Sequence, residues 1–225
     1  MSQASPAAQP LQIDFISDIA CPWCAIGLAS LQRALENLGD AADARVVVHP
    51  FELTPDMPAG GASLVDYLGK KYGRTPEQIA ETQEAIRERG ASVGFAFGPR
   101  TRVYNTFDAH RLLQWAGLEG KQLSLKLALL RAYHGDCLDV SNHDVLVQTA
   151  QSVGLDADAA RKVLESDAFA DEVRAEEAQV QAMGIQSVPA IVFNQQYLIN
   201  GGQPVETFEN AIRQILAEPQ EEGEE

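Results

Sequence analysis

Between Thr54 and about residue 165 the chain carries helical periodicity and no strand pattern, while the segments on either side alternate strands with helices. One α/β domain split by an all-helical insertion accommodates that order. In front, LQIDFIS (11–17) sets Leu11, Ile13 and Phe15 against Gln12 and Asp14, the period of two expected of a strand. AIGLASLQRALENLG follows with Ile26, Leu28, Leu31, Leu35 and Leu38 at helical spacing and Gly39 as a stop. RVVVHPFEL (45–53) reads as a buried second strand, which completes a βαβ unit. Behind the insertion, residues 167–184 predict a helix with Phe169, Val173, Val180 and Met183 on one side. VPAIVF and QYLING then read as a hairpin joined by Asn194 and Gln195, and VETFENAIRQIL as a last helix with Phe208, Ile212, Ile215 and Leu216 inward.

The expected division is therefore an α/β domain over 11–54 and 166–217 and a helical insertion over 55–165. Within the insertion, Thr75, Pro76 and Gln78 form a capping box that opens a helix to about Arg89. FDAHRLLQWAG, QLSLKLALLRAYH (with Leu123, Leu127 and Leu130 as its stripe), 141–153 and 156–165 supply the other helices. Residues 1–10 and 218–225 are expected to be disordered; the latter, EPQEEGEE, holds five glutamates.

Charge excludes some functions. The formal net charge is −15, from 32 acidic and 17 basic residues, which argues against nucleic acid and anionic membranes as partners. No run of 18 apolar residues is present to span a membrane. MSQASPAAQP has neither the basic n-region nor the apolar h-region of a secretion signal, so a cytoplasmic location is expected.

In that compartment three cysteines do not make a disulfide scaffold, so the close pair in DIACPWCAIG (18–27) asks for another explanation. It is a redox couple, half of a metal site, or two small apolar core residues. Cys21 falls where the strand ends and the helix begins, with Pro22 suited to the first helical position. Unsatisfied amides and the positive end of the helix dipole there favour a thiolate. Cys24, one turn on, is near enough to close a disulfide. The pattern gives Cys21 the part of exposed attacking thiol and Cys24 that of buried resolving thiol, with a mixed disulfide between enzyme and substrate. Near the other end, Pro189 opens a strand after Val188; an X–Pro bond is cis in roughly 5% of folded cases, so an ordinary trans turn is the default.

CPWCAIG, NTFDAHRL (105–112), GIQSVPAIVF (184–193) and INGGQP (199–204) together resemble the DsbA-like branch of the thioredoxin superfamily, specifically its cytoplasmic FrnE-like group. That group is related to 2-hydroxychromene-2-carboxylate isomerases and kappa-class glutathione transferases. The resemblance runs from residue 11 to about 217. It implies a thioredoxin fold (βαβ…ββα) with a helical insertion roofing the site, and a thiol–disulfide oxidoreductase acting on protein or small-molecule thiols and disulfides. It makes Cys21 the nucleophile, Cys24 the resolving thiol and Pro189 a cis-proline, with the Val188 backbone pairing with substrate. Pro22 and Trp23 fall in the motif itself, and Asn105 and His110 beside the cleft. No bound cofactor or metal is expected; glutathione is a candidate redox partner and a homodimer a candidate assembly. Ala25 stands where relatives often carry an aromatic residue and Leu28 where Lys is frequent, and Trp23 and Asp18 point to a couple more reducing than the periplasmic oxidants.

Rival readings keep specific residues in play. Glutathione-dependent isomerases and transferases of the same branch use the same helix terminus, although they generally carry Ser first and lack the second thiol. Zinc would use Cys21, Cys24, His134 and Cys137. A non-enzymatic docking surface on the helical block leaves the thiol pair unexplained. The remaining singular residues take structural readings: His49 as a strand end, His143 as exposed, His110 as a satisfied core histidine, Cys137 as an inert thiol, and Tyr104, Phe107 and Trp115 as core.

Overall fold

The computed structural model describes residues 10–58 and 60–218; the segments 1–9 and 219–225, for which disorder is expected, lie outside these. The alternation in LQIDFIS sorts the two faces of β1 (Pro10–Ser17). Leu11, Ile13 and Phe15 turn to one side, where Ala25, Leu28 and Leu31 of α1 (Pro22–Leu38) bury them at 1% exposure or less. β2 (Asp43–Pro50) runs parallel to β1 with Ile13 opposite Val46, as a crossover through one helix requires.

The insertion contains β3 (Ala62–Ser63), α2 (Leu64–Tyr72), α3 (Pro76–Ser92), β4 (Arg102–Val103), α4 (Phe107–Leu118), α5 (Gln122–Leu130), a π-helical turn Arg131–Gly135, α6 (His143–Ser152) and α7 (Ala157–Leu164). The Thr75–Gln78 capping box forms as expected: the Gln78 amide donates to Thr75 Oγ1 and the Thr75 amide to Gln78 Oε1. The two-residue ladder β3–β4 is a feature the sequence does not signal, because two residues carry no periodicity.

After the insertion come α8 (Ala170–Ala182), β5 (Ala190–Phe193), β6 (Tyr197–Asn200) and α9 (Val205–Ala217). The sheet order is β2-β1-β5-β6, with β5 antiparallel to both β1 and β6. Asn194 and Gln195 turn the hairpin with φ of 47° and 58°. Phe208 and Ile212 of α9 join α1 on one face of the sheet. On the other, Val180 of α8 and Ile185 pack against Ile16, Ala190 and Val192. α8 is shorter than the expected 167–184: Phe169 sits before it in a left-handed conformation, and Met183, beyond its end, is 60% exposed rather than inward.

The insertion has its own core, built on Leu112, Leu113, Leu125, Leu129, Tyr133 and Leu146. Trp115 belongs to it as expected, and the half-buried Tyr104 packs against it. α5 lies between this core and the sheet: Leu125 and Leu129 enter the former while Leu123, Leu127 and Leu130 meet the latter. The stripe read from the sequence is thus one of two, as befits a helix apolar on most sides. Ile19 and Ala20, which link β1 to α1, also sit inside the insertion core, so the start of α1 lies on the seam between the two cores.

His49, read as a bare strand end, ties the sheet to α8, with Nε2 3.0 Å from Asp14 and Nδ1 3.4 Å from Glu176. Burial alone lowers its basicity, but the two carboxylates outweigh it and leave the imidazolium favoured. A raised folded-state value stabilises below the unfolded value near 6.5 and is lost as pH rises through the folded one. His49→Gln is therefore expected to cost about 1 kcal/mol at pH 5.5 and little at pH 9, measured as urea midpoints.

Candidate active site

Cys21 caps α1 with extended backbone (φ −85°, ψ 113°) and Pro22 follows at the start of the helix, where a missing amide costs nothing. The chain turns there, and the Cys24 amide donates to the Cys21 carbonyl at 3.1 Å. Both thiols are free, and Cys21 lies close enough to act on the ionisation of Cys24. Exposure ranks them as the sequence suggests, but Cys21 is more enclosed than expected: it is 4% exposed and Cys24 0%, whereas Trp23 between them is 42% exposed. The cause is close packing of the junction against the Val188–Pro189 bend, whose peptide bond is cis. The Cys21 thiol donates to the Val188 carbonyl at 3.6 Å. Burial pushes the Cys24 thiol well up, and the neighbouring Cys21 adds to it.

Two glycines make that closeness possible. A Cβ on Gly27 would stand 3.2 Å from Pro189 Cγ and 3.3 Å from Gly202 Cα. One on Gly202 would stand 2.8 Å from the Trp23 carbonyl oxygen. The glycines of CPWCAIG and INGGQP thus let the first turns of α1, the cis-proline bend and the loop before α9 meet.

Beneath the thiols lies a buried polar cluster. Asp18 is fully buried; Oδ1 accepts from the Ala20 amide at 3.1 Å and the Thr106 hydroxyl at 2.8 Å, and Oδ2 from the Leu53 amide at 2.7 Å. His110 Nε2 approaches Oδ1 at 3.5 Å without hydrogen-bonding geometry and has no hydrogen-bond partner among the described residues. Burial alone would raise the Asp18 carboxyl, yet His110 and the amides together hold it below its ordinary value, so Asp18 is an anion. Burial lowers His110, which is neutral beside it. Lys126 of α5 is also fully buried, and its Nζ donates to the Ser17 carbonyl at 3.4 Å. Burial brings its pKa down to about 8.

A cavity of about 550 Å³ opens at Cys21. Pro22, Trp23 and Val188 line it, and α2 and α3 of the insertion roof it with Leu68, Ile79 and Ile86 among others. Lys71, Arg74 and Arg100 reach it, and no carboxylate does among the described residues. Asn105 and His110 work from behind: Asn105 Oδ1 accepts from the Phe107 amide at the start of α4 and its Nδ2 donates to the Pro55 carbonyl, while His110 faces Asp18. The zinc set does not assemble. His134 Nε2 is 2.9 Å from the Ile19 carbonyl, and the half-buried Cys137 directs its thiol at the Gly135 carbonyl. Among the described residues no three His, Cys, Asp or Glu side chains converge as ligands. Lys126, Thr106 and Gly202 were not singled out from the sequence; Lys126 as a lone cation in LSLKLALL was the one available signal.

A βαβ…ββα sheet carrying a helical insertion, with two thiols at the front of α1 facing a cis-proline, defines a thioredoxin fold of the DsbA type. The chain belongs to the DSBA-like thioredoxin domain family, whose model matches residues 12–213. It is similar to a probable DsbA oxidoreductase from Streptomyces coelicolor, with 34% identity and a TM-score of 0.88 over 93% of this chain and 92% of that one. Its fold is also that of a 2-hydroxychromene-2-carboxylate isomerase (13% identity, TM-score 0.72, 91% and 95% covered). A cytosolic disulfide reductase, DsbM, from Pseudomonas aeruginosa, solved with GSH, shares it too (16%, 0.63, 91% and 98%).

The glycine contact is testable. Gly202→Ala puts a methyl group against the Trp23 carbonyl, backbone on backbone, and is expected to cost roughly 1–3 kcal/mol. It should also slow alkylation of Cys21 several-fold or alter its pH dependence. Unchanged stability and reactivity would show that this approach is slack.

Proposed function

We propose that the protein is a thiol–disulfide oxidoreductase in which Cys21 attacks the substrate and Cys24 resolves the mixed disulfide. The observation that carries this reading is the Cys21 thiol on the Val188 carbonyl, at the mouth of a roofed cavity, with a second thiol on the same helix turn. A substrate sulfur in that cavity approaches Cys21 while its backbone, or the backbone of a thiol peptide, pairs with the main chain of Val188. Pro22 and Trp23 form the floor. Pro189 fixes the bend, and Asn105 and His110 hold the loops beneath it. Membership of the DsbA-like family and the likeness to the Streptomyces coelicolor protein support an oxidoreductase.

The cations Lys71, Arg74 and Arg100 on the cavity wall favour anionic thiols, glutathione among them, as redox partners in a cytoplasmic setting. No helix among the described residues is long and apolar enough to cross a membrane. A second reading, a glutathione-dependent isomerase, draws on the fold shared with the 2-hydroxychromene-2-carboxylate isomerase. Its chemistry has no use for Cys24.

Cys24 therefore separates the two. With glutathione as reductant and a small disulfide as substrate, Cys21→Ser is expected to abolish turnover. Cys24→Ser should lower it about 100-fold and accumulate a mixed disulfide on Cys21, visible by intact mass. If Cys24→Ser turns over like the wild type, the resolving role is wrong and glutathione itself releases the substrate from Cys21.

A further inference from the structure

One residue ahead of the attacking thiol, in the link from β1 to α1, a single peptide unit is held at both ends. The Ala20 N–H donates to Asp18 Oδ1 at 3.1 Å, and the Ile19 C=O accepts from His134 Nε2 at 2.9 Å. A peptide unit is planar, so holding both ends fixes the plane and the direction in which the chain leaves it toward Cys21. The Cys21 thiol is a weak donor, 3.6 Å from the Val188 carbonyl, and does not set the turn by itself.

His134 is 1% exposed, and the rings of Phe97 and Tyr133 meet its imidazole edge to face, with centroids 5.4 and 4.7 Å away. Burial, and after it Arg100, hold its basicity well below the ordinary histidine value, so the ring is neutral. A carbonyl oxygen only accepts, which puts the one ring proton on Nε2. His134 belongs to the π-helical turn Arg131–Gly135, closed by the Asp136 amide on the Arg131 carbonyl at 2.9 Å. Single turns of this kind inside helices recur at functional sites. The turn is pinned in its own right. The Gly98 amide donates to the His134 carbonyl at 2.8 Å, and Arg100, on the cavity wall, donates to the Tyr133 hydroxyl at 2.6 Å. Tyr133 and Ile19 also share the insertion core.

We propose that His134 is a positioning residue for disulfide exchange: by holding the Ile19 carbonyl it sets the Cys21 thiol at the mouth of the cavity. This rests on the disulfide-exchange reading. Without that donor the Ile19 carbonyl is buried and unpaired, and its peptide plane is free to turn toward another partner. His134 does not line the cavity, so its loss acts on the reacting step and not on the binding of substrate.

The test uses the full chain with Cys137→Ser, glutathione as reductant and a small disulfide as substrate. His134→Phe keeps a ring between Phe97 and Tyr133 and drops the donor. It is expected to lower kcat on the order of 10-fold or more, with KM within about twofold, since a small misplacement of a reacting atom suffices for such a loss. His134→Gln drops the ring and keeps an N–H donor, and should hold kcat within about threefold of the parent. A purely structural role would lower the urea midpoint of both variants and leave kcat of the folded protein where it was. An unchanged kcat in His134→Phe, or a 10-fold loss in His134→Gln, overturns the proposal. The parent offers a check that needs no variant to fold: nitrogen-15 NMR should show the His134 proton on Nε2 at neutral pH, and a proton on Nδ1 overturns the proposal. A parent with no turnover overturns the disulfide-exchange reading itself.

Discussion

One buried carboxylate organises the candidate site. Asp18 sits where β1 ends, and its two oxygens bind the amides of Ala20 and Leu53 and the hydroxyl of Thr106. Those three partners belong to the link into α1, the loop leaving β2, and the start of α4 in the insertion. An anion in that position is tolerable because amides and a hydroxyl answer both oxygens. It fixes the direction in which the chain enters α1, and so the height at which Cys21 meets the Val188 carbonyl. Removing it would leave the Leu53 and Ala20 amides without their partners in a place water does not reach.

This clamp also explains why the insertion is more than a lid. Ile19 and Ala20 lie in the insertion core although they flank the active-site turn, and α5 sends leucines into both cores. The thiols are therefore held on a seam, with the sheet on one side and the helical block on the other. The seam supplies apolar cover for Cys24 and a cavity for substrate, and it buries the amine of Lys126 on the Ser17 carbonyl. Thiol chemistry benefits from such contrast: the attacking sulfur borders the cavity while the resolving one is kept dry.

Much of the fold was legible in the sequence because it rests on short-range patterns. Alternation marked β1, helical spacing marked α1, and the Thr75–Gln78 box marked the start of α3. The motif placed Cys21 and Cys24 at the helix front, and the resemblance identified the cis bond before Pro189. What escaped was set by contacts across the chain. Lys126 looks like a surface cation in a leucine-rich helix until both faces of α5 are seen to be covered. Asn105 and His110 were expected beside the cleft; they sit behind it because α4 runs beneath the junction rather than along its mouth. Cys21 was expected exposed, and Gly27 and Gly202 let the surrounding loops close over it.

Equilibration of the protein against defined ratios of reduced to oxidised glutathione, followed by acid quench, alkylation and mass mapping, tests the central claim most directly. A single two-electron transition in which Cys21 and Cys24 lose their labels together, while Cys137 keeps its own, is the expected result. A pair that stays fully alkylated at every ratio, or that oxidises only with Cys137, would contradict it.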